Sequence, residues 1–152
     1  MPIKPDVQIS LTKEQYKTLV ELVDLGQWMA NATRTKRIKK YDDMEQLVFS
    51  FAKQAGLQDC VDYDDELKMY FLLREFEEST IFPLKEEYDD CTFWEELAHR
   101  LADRDMLKQF GERELVRMPR DEMNKVRDAL IGKYENESVE HGIDRLEITN
   151  SQ

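Results

Sequence analysis

Thr12 stands three residues ahead of Gln15, and Thr92 three ahead of Glu95. At that spacing a threonine hydroxyl and a glutamine or glutamate side chain satisfy the first free N–H groups of a helix, so each pair marks a helix start. Each also opens a run of apolar residues at three- and four-residue spacing. The first run is Tyr16, Leu19, Val20, Val23, Met29 and Ala32, widened by Leu22, Leu25 and Trp28; Gly26 within it marks a bend or a close helix crossing. The second is Phe93, Trp94, Leu97, Ala98, Leu101 and Ala102, continuing toward Phe110 before Gly111. Between them, Asp42 and Glu45 start a helix carrying Met44, Leu47, Val48, Phe51 and Ala55, with Gly56 as its stop. The dense apolar patch from Leu67 to Phe76 reads as helix with a break. Pro83 either opens a short helix to Tyr88 or kinks one already begun. Pro119 suits the first turn of a last helix with Met123, Val126, Leu130 and Tyr134 on its buried side and Gly142 at its end. The expected fold is mainly α, a compact bundle of about five helices forming a single domain over residues 1–152.

Two terminal segments depart from the helical period. Val7, Ile9 and Leu11 alternate with Gln8 and Ser10, and Ile143, Leu146 and Ile148 are interleaved with Asp144, Arg145 and Glu147. Alternation of this kind is the period of a strand buried on one face. A small two-stranded ribbon joining the N- and C-terminal segments is predicted.

The formal charge is -11. It repels nucleic-acid phosphates and anionic lipid at long range and favours cationic partners. The longest apolar stretch, Met69 to Leu73, falls far short of the roughly 20 residues that cross a bilayer, so no membrane partner is expected. Residues 1–8 lack the apolar core of a signal peptide. Cys60 and Cys91 are isolated from one another and lack a CxxC spacing, which fits a reducing compartment, and a cytoplasmic location is expected.

Several clusters are candidates for chemistry. Glu75 with Glu78, and Glu86 with Asp89, are acidic pairs at three-residue spacing that can present both carboxylates on one helical face to a hard divalent cation. They resemble the ExxE and ExxD pairs of all-α nucleoside triphosphate pyrophosphohydrolases, which implies a divalent-metal-dependent hydrolase. Here seven residues separate the pairs and Pro83 interrupts them, whereas that family has a longer helix-turn-helix between. Glu96 and His99 form an isolated Glu-x-x-His pair of the kind found in di-iron carboxylate bundles, but His141 has Ser138 at the corresponding place and no second copy exists. Arg34, Lys36, Arg37, Lys39 and Lys40 form a basic segment able to contact phosphate or nucleic acid, or to dock on acidic residues of the same or a second molecule. No GxSxG or phosphate-binding loop is present.

From Asp59 to Glu96 fourteen acidic residues stand against Lys68, Arg74 and Lys85, interleaved with Tyr63, Tyr70, Phe71, Phe76, Phe82, Tyr88, Phe93 and Trp94. Aromatics at helical spacing usually build a core. If they are exposed, the composition suits an acidic surface with aromatic anchors for a basic partner protein. The expectation from sequence is therefore a non-catalytic interaction or accessory domain with an acidic surface and no resident cofactor. The carboxylate hydrolase and the basic segment are its alternatives. The breadth of the first helix's apolar face motivates a homodimer as one form of partner.

Overall fold

The computed structural model describes residues 8–147. The chain is mainly helical, and among the described residues it has one two-stranded antiparallel sheet. It divides into two compact units, one reaching Glu86 and the other starting at Glu87.

In the first unit, α1 (Lys13–Asn31) starts as its capping box dictates: the Gln15 N–H donates to the Thr12 hydroxyl and the Thr12 N–H donates to the Gln15 side chain. Gly26 is exposed in an unbroken helix, and a Cβ there would meet nothing within 4 Å, so it does not mark a close helix crossing. Helix α2 (Lys39–Phe49) begins before Asp42, at an uncapped Ile38, and ends before the predicted stop. Asp42 lies inside this helix rather than at its cap, and its carboxylate is engaged by Gln27, Asn31 and Arg37. Turns then carry the chain to Gly56, whose φ of 71° is the left-handed conformation expected of a glycine stop.

The Leu67–Phe76 patch, expected as helix, instead contributes half of a hairpin. Strands β1 (Val61–Asp64) and β2 (Met69–Leu72) pair with Val61 opposite Leu72 and Asp64 opposite Met69. The Asp64 carboxylate accepts the N–H groups of Glu66 and Leu67 and closes the turn, with Lys68 at φ 54°. Both faces of β2 are apolar, so the two-residue period that betrays a strand is hidden in its sequence. A two-stranded ribbon thus exists, but it is built inside the chain from other residues than the terminal segments predicted to form one. For the predicted terminal pairing, Val7 and Ile148 lie outside the described residues, and residues 8–11 and 143–147 form no strand.

A short helix α3 (Arg74–Phe76) widens into a π-helical turn over Glu77–Ile81, and α4 (Phe82–Arg117) follows. The Phe82 N–H reaches back five residues to the Glu77 carbonyl. That widening admits Pro83, which has no N–H to give and whose ring crowds the carbonyl four residues back in a regular α-helix. The helices expected separately at Pro83 and Thr92 are one, with Thr92 inside α4; a capping signature is overridden when the preceding residues are themselves helical. Gly111, at φ 73° and ψ 160°, does interrupt α4.

The core of the first unit gathers Val20, Phe49, Ala52, Leu57, Cys60, Val61, Leu72, Phe76 and Ile81 from every element described so far except α4. Val20, Phe49, Leu57 and Ile81 are its largest fully enclosed side chains, each contributing about 1.5–3 kcal/mol of burial. In the second unit, α5 (Arg120–His141) follows Pro119 as predicted, and Gly142 ends it at φ 56°. Met123, Val126, Leu130 and Tyr134 are half-buried, and Ala98, Ala102 and Met106 are the buried residues of α4. The Arg127 guanidinium donates twice to the Asp103 carboxylate, at 2.7 and 3.2 Å, and the Tyr134 hydroxyl donates to Asp105. Arg127 holds the Asp103 carboxyl below its ordinary pKa, as Tyr134 does Asp105.

Candidate functional site

The hairpin decides whether the acidic, aromatic stretch is surface or core. In the register of β1 and β2, Val61, Tyr63, Tyr70 and Leu72 share one face and Asp62, Asp64, Met69 and Phe71 the other. Val61 and Leu72 reach the core, Tyr70 packs at its edge, and the Tyr63 and Tyr70 rings lie 4.7 Å apart. On the opposite face Phe71 is 41% and Met69 42% exposed, with Leu67 at 69% in the turn beside exposed Asp62, Asp65 and Glu66. The free edge of β2 is braced. The Gln46 side chain donates to the Tyr70 carbonyl at 2.9 Å and accepts the Tyr70 N–H at 2.7 Å, binding the strand as a neighbouring peptide would. Elsewhere in the stretch Phe82, Tyr88 and Phe93 are exposed, Trp94 is half-buried and Phe76 is buried.

A second polar constellation in the same unit joins α1, α2 and the start of α4. The Lys85 ammonium sits 2.9 Å from Asp24 and 3.9 Å from Glu77, with the Lys85 and Asp24 side chains only 12% and 13% exposed. Lys85 also lies over the Trp28 and Phe82 rings, at 5.7 and 5.9 Å. The nearby Glu45 carboxyl is pushed up from about 4.5 to about 7, by burial first and then by the charge of Asp24, with Asp42 adding to it against the opposing effects of Gln46 and Arg37. Buried Asn31 links the helices further, donating to Asp42 at 3.1 Å and accepting the Ile38 N–H at 2.7 Å. The sequence did not single out Asp24, Asn31 or Gln46, and it offered Glu45 only as part of a helix start and Lys85 only as a cation in the acidic stretch. The available signal was Asp24, Gln27 and Asn31, which recur at three- and four-residue steps and so form a polar stripe along α1.

Because the Glu45 proton is held more tightly in the folded chain, it stabilises the fold fully below the ordinary carboxyl value, and this stabilisation is lost as pH rises from there through about 7. A fully buried carboxyl shifted this far would contribute about 3 kcal/mol; with Glu45 partly open to solvent, screening reduces this to about 1–2 kcal/mol. Glu45→Gln is expected to raise stability at pH 8 by that amount and to leave it unchanged near pH 4.5. Urea unfolding at the two pH values measures the difference, and an equal effect at both would refute it.

The residues singled out in the sequence are distributed as follows. Glu75, Glu78, Glu86 and Asp89 are exposed, and Glu78 is paired with Arg74 at 2.7 Å. Among the described residues no three acidic, histidine or cysteine side chains converge as a metal site would require. Glu96 is drawn to Arg100 at 3.2 Å, one turn along the helix, while the half-buried His99 lies near Asp103. In the basic segment, Arg37 makes a two-point contact with Asp42 and Lys39 pairs with Asp43, while Arg34 donates to the Ala30 carbonyl and Lys40 lies 4.9 Å from the Tyr41 ring. Its charge is thus partly neutralised at home. Burial and Asp59 raise the pKa of the Cys60 thiol, which suits a core residue rather than a nucleophile.

The described chain is a mainly helical fold with an internal acidic hairpin, and no described helix is long and apolar enough to cross a membrane. No family model, curated protein or solved structure matches it.

Proposed function

We propose that this chain is a non-catalytic interaction or accessory domain that binds a basic partner protein through the outer face of its hairpin. The exposure of Phe71 and Met69 among Asp62, Asp65 and Glu66 carries this reading. Apolar anchors ringed by charge bind by burying the anchors and reading the charge at the rim. The Gln46 contact supports it by holding β2 in place before any partner arrives, which lowers the ordering cost of binding. A homodimer through α1 has narrower support: Leu22 is exposed, but Leu25 packs on the core and Trp28 adjoins Lys85. The reading places the domain in the cytoplasm, on the strength of two free cysteines, Cys60 and Cys91.

The test is titration with lysine-rich peptides carrying aromatic or leucine anchors, set against unanchored lysine peptides. Phe71→Ser is expected to weaken binding of the anchored peptides about tenfold, a loss typical of one interface anchor. Glu66→Lys should flatten its dependence on salt. Binding indifferent to both substitutions would reject the hairpin. A rise of several degrees in the unfolding midpoint of chelator-treated protein on adding magnesium or manganese would instead move the assignment to the carboxylate hydrolase.

A further inference from the structure

We propose that the groove between the start of α1 and the end of α2 is a second docking site, which takes an amphipathic helix whose apolar stripe is flanked by acidic side chains. The groove encloses about 580 Å³, within the usual range of roughly 300–1,000 Å³ for ligand sites. Its floor is fixed: the Tyr16 hydroxyl donates to the Val48 carbonyl, and both residues pack against the core. Its rims are apolar and open, with Ile9 74%, Leu47 53% and Phe51 49% exposed. Open apolar rims over a rigid floor suit the apolar face of a helix, whose side chains enter at three- and four-residue steps.

Charge selects the occupant. Acidic residues number 33 of 152 in this chain, yet none lines the groove, and its one charged lining residue is Lys13. Among the described residues Lys13 makes no ion pair. It lies in the first turn of α1, where unpaired N–H groups add partial positive charge. Glu14 shares that turn but does not line the groove, so the lining is apolar with a single positive charge, opposite in sign to the hairpin. A partner helix bearing glutamate or aspartate beside its leucines is attracted to Lys13, whereas one bearing lysine is repelled.

The experiment uses the full chain and two fluorescent helical peptides of about 16 residues with leucines at i, i+3, i+4 and i+7. One has glutamate flanks and the other lysine flanks. The glutamate peptide should bind about tenfold more tightly than the lysine peptide, and Phe51→Ser should weaken it about tenfold. Lys13→Glu should reverse the preference. Both substitutions are at exposed side chains, and circular dichroism with an unchanged unfolding midpoint verifies the fold. Equal affinity for the two peptides, or indifference to Phe51→Ser, overturns the proposal. So does a dimer of the chain alone, seen by light scattering, that Phe51→Ser dissolves, because the occupant is then a second copy. Phe71→Ser separates the two surfaces: it should leave glutamate-peptide binding intact, and its loss together with hairpin binding would also overturn the proposal.

Discussion

Replacing Lys85 with alanine is expected to destabilise the protein by about 3–5 kcal/mol, the cost of removing one partner from a buried ion pair. The size of the effect comes from what remains. Asp24, 13% exposed, would be left without the ammonium beside it, and the Asp24 Oδ2 atom lacks an aligned hydrogen-bond donor even in the intact protein. Glu77 would lose its cation too, and Glu45 would face an Asp24 no longer paired with Lys85, with Arg37 the opposing charge that remains. The loss should therefore be larger at pH 8 than at pH 5. In the double variant D24N/K85M no charge is stranded and the methionine stem still covers the Trp28 and Phe82 rings, so most of the stability should return. Urea unfolding of the single and double variants decides the matter, and a Lys85→Ala loss under about 1 kcal/mol would show that water already reaches the pair.

Phe49→Ala should cost about 3–5 kcal/mol by removing a large side chain from a close-packed interior. Phe49 is 2% exposed at the end of α2, in the cluster that joins α1, the hairpin and the π-helical turn. For a chain of this length the unfolding midpoint should fall by roughly 2–4 °C per kcal/mol. Phe51, two residues on, is 49% exposed, and the same substitution there should leave the midpoint nearly unchanged. Equal shifts for the two would mean that the core is not where Phe49 sits.

Local chemistry explains which parts of this fold were legible. The start of α1, the interruption at Gly111 and the last helix after Pro119 rest on contacts within one turn of chain, and the structure has all three. The hairpin was misread because Met69, Tyr70, Phe71, Leu72 and Leu73 present apolar residues to both faces, which erases alternation. Asp42 and Thr92 have helix-start chemistry, but each lies inside a helix already running through it, and the Asp42 carboxylate is engaged by side chains from α1 and the connector. The site followed the same division. Acid and aromatic enrichment between Asp59 and Glu96 was plain, while exposure of Phe71 and burial of Phe76 depend on which strand or helix each enters. Lys85 looked like one of three cations in an acidic stretch; its contact with Asp24 spans about sixty positions of chain, beyond any periodicity.

The widened turn at Glu77–Ile81 has a consequence for the register of everything that follows it in the first unit. An α-helix rotates about 100° per residue, so a turn that closes over five residues instead of four acts as a one-residue phase shift. Phe76 and Ile81, five apart, are both buried, a spacing that an unbroken α-helix would send to different sides. The same shift sets the azimuth at which Lys85 leaves α4 to meet Asp24. Pro83 thus works like a gear tooth: by preventing the regular turn, it keeps an ammonium aimed at its carboxylate from a helix whose sequence pattern alone would point it elsewhere.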